Sequence, residues 1–143
     1  MKNCQIYEIC DNKIILVPLV NDKVVAGFPS PAIGYEEEPL NINDLIITNQ
    51  SATFYIRVTG NSMIDSNINE GDILVVDKSI EPKHGHIVIA VINGEFTVKT
   101  LYFKDGLVKL VPSNATYPEI TLTGESELNI WGVVSYAIKK FKI

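Results

Sequence analysis

The chain has 143 residues, 46% of them hydrophobic, and a formal net charge of -5. That length suits one domain with a real core, and the negative balance gives no long-range attraction to phosphate, which disfavours direct nucleic-acid binding. The apolar residues 14–20 form a run too short to span a bilayer, without a signal peptide's charged start and uninterrupted core, so a cytoplasmic protein with no membrane anchor is expected.

Cys4 and Cys10 lie near the start without a wider framework of spaced cysteines and are expected to be free thiols. Residues 13–17 predict a strand followed by a turn around Asn21-Asp22, in an N-terminal arm. Pro18 interrupts the apolar run and helical periodicity is absent, so no helix-turn-helix fits before residue 24. Between 26 and 39 come Pro29, Pro31, Pro39, two glycines and the acidic run Glu36-Glu37-Glu38, which predict extended chain open to a protease. Residues 40–47 predict a short helix capped by Asn41 or Asn43 and sealing one end of the core. Thereafter strands are predicted at 54–58, 73–76, 87–92, 96–103, 107–111, 119–122 and 130–139. Such short strands, joined by Gly, Asn and Pro turns, argue a mainly β, compact, largely antiparallel assembly.

Two places carry chemistry. In Thr59-Gly60-Asn61-Ser62-Met63-Ile64-Asp65 a serine stands where a strand stops, behind a glycine that lets the backbone bend and neighbouring N–H groups converge. In Gly94-Glu95-Phe96-Thr97-Val98-Lys99 a lysine interrupts an apolar strand that follows Asn93-Gly94, the dipeptide of two-residue type I′ hairpins. With a period of two, Thr97, Lys99, Leu101 and Phe103 share one face. Taken singly, the serine reads as a turn residue and the lysine as a solvated outer-face side chain. Together they offer a nucleophile and a base, provided desolvation lowers the lysine's pKa.

Other groups read as structural. His84 and His86 flank Gly85 but have no third ligand at metal spacing, so no metal and no cofactor is expected. Trp131 and the tyrosines read as core or dimer-interface residues, and Lys139, Lys140 and Lys142 as a solvated terminus.

The stretches Gly60-Asn61-Ser62-Met63-Ile64-Asp65, Glu70-Gly71-Asp72 and Gly94-Glu95-Phe96-Thr97-Val98-Lys99, in this order, resemble the self-cleaving serine peptidase family of LexA and UmuD, the UmuD branch most closely. Upstream, Ala26-Gly27-Phe28-Pro29-Ser30-Pro31-Ala32 resembles the UmuD cleavage segment. The resemblance covers residues 24–138 and implies a fold like that of LexA and signal peptidases, with an arm (1–26), a linker and short helix (27–50) and a peptidase domain (51–143). It implies that Ser62 attacks the carbonyl of Ala26, that Lys99 is general base and then acid toward the Gly27 amine, and that the backbone N–H groups of Asn61 and Ser62 form the oxyanion hole. Asn61 stands where LexA has methionine, a departure that leaves backbone donation intact.

The same resemblance implies stimulation by a RecA filament on single-stranded DNA, a homodimer, and a shortened product that assists a Y-family DNA polymerase of the UmuC kind, without specific DNA binding of its own. Residues 13–20 are apolar enough to pack on the body, and the long strand at 130–138, as an exposed edge, is the expected dimer contact. Two other classes stay open: a binding subunit that keeps only the fold, and a relative of phage repressors without its DNA-binding part.

Overall fold

The computed structural model describes residues 14–21, 36–122 and 128–143, which fall into two compact units divided between Leu45 and Ile46. The expected cleavage residues Ala26 and Gly27, with Cys4 and Cys10, lie outside the described residues.

In the first unit β1 (Val17–Val20) and β2 (Glu37–Leu40) pair antiparallel, Val17 opposite Leu40 and Val20 opposite Glu37. The Asn21 N–H closes the ladder by donating to the Glu36 carbonyl at 2.8 Å. This corrects one expectation, since the first strand lies later than 13–17, while residues 37–39 are extended and exposed as expected and take part in a strand. Pro18 and Pro39 face each other in it; a two-stranded ribbon has only edge strands, where a residue without an N–H is tolerated. Ile14, Ile15, Leu16 and Val17 are each more than half exposed. The helix α1 (Ile42–Ile46) is shorter than predicted. Asn41 is the residue at its start that caps, its Oδ1 accepting from the Asn43 N–H at 3.1 Å. Of its apolar residues Ile42 and Leu45 are exposed and Ile46 is buried.

The second unit is a seven-stranded sheet. Its strands are β3 (Thr53–Arg57), β4 (Ile73–Asp77), β5 (Ile87–Ile92), β6 (Glu95–Lys104), β7 (Leu107–Val111), β8 (Ile120–Thr121) and β9 (Leu128–Ile138). They follow the order β3-β4-β9-β5-β6-β7-β8, with every pairing antiparallel. The protein is therefore mainly β, as the strand pattern predicts. Asn93 and Gly94 have φ of 49° and 81°, and Asp105 and Gly106 of 53° and 74°. Both residues of each two-residue turn thus lie at the positive φ that type I′ hairpins require, which fixes β6 between two tight turns and Lys99 opposite Val88.

Alternate strand residues feed two apolar clusters, the first completed by residues of the loop between β3 and β4. Val58, Met63, Ile68, Leu74, Val76 and Ile89 form one. Val88, Ala90, Leu101, Leu110 and Val133 form the other. Burial on both sides explains why β5 reads as a continuous apolar run instead of an alternating one. The expected edge at 130–138 is corrected, because β9 is hydrogen-bonded between β4 and β5 in the middle of the sheet. An irregularity between Ile89 and Ala90 in the β5–β9 pairing leaves Trp131 without an opposite residue. Next to it Gly132 lies so close to β4 that an added Cβ would come within 2.5 Å of Val76 Cγ1, so glycine is required there by contact with a fully buried neighbour.

Candidate active site

The serine loop leaves β3 through Val58, whose N–H donates to the Asp72 carbonyl at 2.8 Å and whose carbonyl accepts from the Gly71 N–H at 2.9 Å. The turn Glu70-Gly71-Asp72 is thus the clamp at the root of the loop. Its Asp72 carboxylate is 5% exposed, accepts from the Asn69 N–H at 2.9 Å and pairs with Lys139. Burial alone would raise its pKa, but the Asn69 N–H and the Lys139 ammonium hold it below the usual carboxylate range. This corrects the reading of Lys139 as a solvated terminal charge.

Gly60, at φ 81°, bends the chain ahead of Ser62. Immediately after it Met63 drives into the first cluster at 1% exposure, and a short turn, Ile64–Ser66, follows. Ser62 is therefore held between a bend and a buried anchor, half-buried itself.

On β6, Lys99 is 8% exposed. Its Nζ donates to Thr97 Oγ1 at 2.7 Å and to the Val98 carbonyl at 3.0 Å, and lies 3.1 Å from Ser62 Oγ. The loss of hydration pushes its pKa down, and the three neighbours named are neutral oxygens. In its neutral form the amine would carry two N–H bonds and one lone pair; with the N–H groups on Thr97 and Val98, the lone pair would be left for the Ser62 hydroxyl. Such a pair can pass a proton from oxygen to nitrogen and back. The solvated outer-face reading of Lys99 does not hold. Ser62 also lines a groove of about 190 Å³, with Ile56, Thr59, Leu74, Ile89 and Val98 among its walls.

The structure thus brings Ser62, Lys99 and the Asn61–Ser62 backbone together. Thr97 was legible as a same-face neighbour of Lys99, but nothing in its residue type marked it as a partner. Two further residues were missed: Asn114 Nδ2 donates to the Asn61 carbonyl at 2.9 Å, and the Tyr117 hydroxyl donates to Asn61 Oδ1 at 2.7 Å. The histidines do structural work. His84 Nδ1 accepts from the Phe103 N–H and His86 Nδ1 from the Lys83 N–H, each at 3.1 Å. Trp131 packs against the first cluster, with its ring 4.9 Å from Phe54 and 5.5 Å from Phe96.

A sheet-borne amine thus lies buried against a loop hydroxyl, beside a groove. Residues 18–135 match the family described as Peptidase S24-like. The chain is 41% identical over 128 residues to protein MucA of Salmonella typhimurium, covering 89% of this chain and 87% of that protein. It is 47% identical over 123 residues to protein SamA of Salmonella typhimurium strain LT2, covering 86% and 85%. To protein ImpA of Escherichia coli it is 42% identical over 123 residues, covering 86% and 83%. The chain belongs to the Peptidase S24-like family, as a UmuD-like member of its LexA and UmuD group of self-cleaving serine peptidases. Among the described residues no helix is long and apolar enough to cross a membrane.

Proposed function

We propose that the protein cleaves its own chain between Ala26 and Gly27 with Ser62 as nucleophile and Lys99 as base. The observation that carries this reading is the contact of a buried lysine amine with a loop serine at 3.1 Å. Burial lowers the cost of the neutral amine, which takes the hydroxyl proton as Oγ attacks the Ala26 carbonyl. The oxyanion is received by the N–H groups of Asn61 and Ser62. The resulting ammonium gives its proton to the Gly27 nitrogen as the C–N bond breaks, and water then releases the acyl group from Ser62 by the same proton path in reverse. Ala26 and Gly27 present little side-chain bulk on either side of the bond, which suits approach of the carbonyl to Ser62.

The UmuD-like relatives support the wider setting: a cytoplasmic homodimer whose cleavage is stimulated by a RecA filament and whose fragment 27–143 serves a UmuC-like Y-family polymerase in SOS mutagenesis. The division into arm (1–26), linker (27–50) and peptidase domain (51–143) belongs to the same proposal. The test is incubation of the pure chain at alkaline pH, or with RecA, an ATP analogue and single-stranded DNA, followed by mass spectrometry. A product beginning at Gly27, absent from Ser62→Ala, is expected; a product beginning elsewhere refutes the site.

A further inference from the structure

Asn61 is exposed and sits directly after the Gly60 bend. Yet its carbonyl is held twice, by the Ile64 N–H at 3.3 Å and by Asn114 Nδ2 at 2.9 Å, and its side chain once, by the Tyr117 hydroxyl at 2.7 Å. The orientation of the Asn114 amide follows from its other end. Its Oδ1 accepts from the Thr116 N–H at 3.0 Å and from Thr116 Oγ1 at 2.8 Å, and a backbone N–H can only donate. The NH2 end is thereby left to face Asn61.

The carbonyl that Asn114 holds belongs to the Asn61–Ser62 peptide, whose nitrogen is that of Ser62. That peptide is trans, so its C=O and N–H are rigidly antiparallel, and a bond that fixes the carbonyl also fixes the direction of the Ser62 N–H. The same segment attaches to the serine loop independently through Ser113. Its carbonyl accepts from the Asp65 N–H at 2.8 Å, its N–H reaches Met63 Sδ at 3.4 Å, and its hydroxyl meets Ser66 Oγ. Those three bonds hold loop to loop without Asn114.

We infer that Asn114 is a positioning residue, assisted by Tyr117, that aims the Ser62 N–H at the oxygen developing on the attacked carbonyl. The inference rests on the reading of Ser62 as nucleophile. Asn114 and Tyr117 touch no reacting atom and act through the peptide plane. Since both bonds are partly or wholly exposed, each adds little net stability, and their loss falls on the rate. Deleting an oxyanion donor outright slows an enzyme about 10²- to 10³-fold, so a donor left in place but unaimed should cost less, on the order of tenfold.

The test is self-cleavage of the full chain, its rate followed from neutral to alkaline pH. Asn114→Asp keeps the acceptor for Thr116 and the side-chain shape but opposes a carboxylate to the Asn61 carbonyl; Asn114→Ala and Tyr117→Phe remove the donors. The expected result is a plateau rate lower by about tenfold in both Asn114 variants and about threefold in Tyr117→Phe. In the uncharged variants Asn114→Ala and Tyr117→Phe the midpoint of the pH profile should stay unmoved, because Lys99 and its partners are intact and no charge is added, and the thermal midpoint should stay near that of the native chain. An Asn114→Asp plateau within about twofold of native, a displaced midpoint in Asn114→Ala or Tyr117→Phe, or slowing that only tracks lost thermal stability overturns the inference. Ser62→Ala runs in parallel. If it is silent while Asn114→Asp cleaves normally, the inference alone fails; if it still cleaves, the reading of Ser62 fails with it.

Discussion

At the scale of single residues the site depends on where one proton resides. Lys99 has a lowered pKa because burial strips its ammonium of water, so between that value and 10.5 the unfolded chain binds a proton that the folded chain has released. Stability then rises with pH through that window and is level below it. Lys99→Met, which fills the same space without charge, should therefore raise the thermal midpoint at neutral pH, and the advantage should shrink as pH approaches 10.5; a gain that persists unchanged at high pH would point to packing instead. The same proton sets the rate: untriggered cleavage should climb with pH up to the lysine's lowered pKa and then level off. Ser62→Ala, Lys99→Ala and Lys99→Arg should each lose at least about a thousandfold, the last because guanidinium keeps its proton. Thr97→Val leaves the volume but frees the amine, and about a tenfold slower plateau is expected from the lost orientation.

At the scale of elements, Gly132 ties β9 to β4. Gly132→Ala would push a methyl to 2.5 Å from Val76 Cγ1, against a β-branched side chain with 0% exposure. An overpacking cost of about 1–3 kcal/mol is expected, measured as a lower urea midpoint with cleavage retained in the folded fraction. The hairpins around β6 were legible because Asn93-Gly94 and Asp105-Gly106 impose their turns locally, and this alone places Lys99 mid-strand. Period two likewise put Thr97 beside it. The placement of β9 between β4 and β5 was not legible, since sheet order is decided by pairing across distant sequence and every apolar strand end reads alike. Asn114 and Tyr117 escaped for the same reason, lying 53 and 56 residues from Asn61. The β1–β2 ribbon was hidden by its prolines, which argue against a central strand but not against two edges.

At the scale of the whole molecule, the proposed cut at Ala26-Gly27 falls in sequence between β1 and β2, which are joined by a ladder of four residues each. An isolated two-stranded ribbon is marginal in water even when its strands are covalently connected, and cutting between them makes their pairing bimolecular. Fragment 1–26 is therefore expected to dissociate from 27–143 once formed, leaving β2 as a new unpaired edge. The proposed switch in partners follows from that step. Purified UmuC-like Y-family polymerase should bind fragment 27–143 more tightly than it binds the full-length Ser62→Ala chain, measured by titration of both against the same polymerase. Neither form should hold duplex DNA at physiological salt, given the net charge of -5. Equal affinity of the polymerase for both forms would remove cleavage as the switch. Retention of fragment 1–26 on the cut protein through gel filtration would instead show that the ladder survives the loss of its connection, and that release requires a further event.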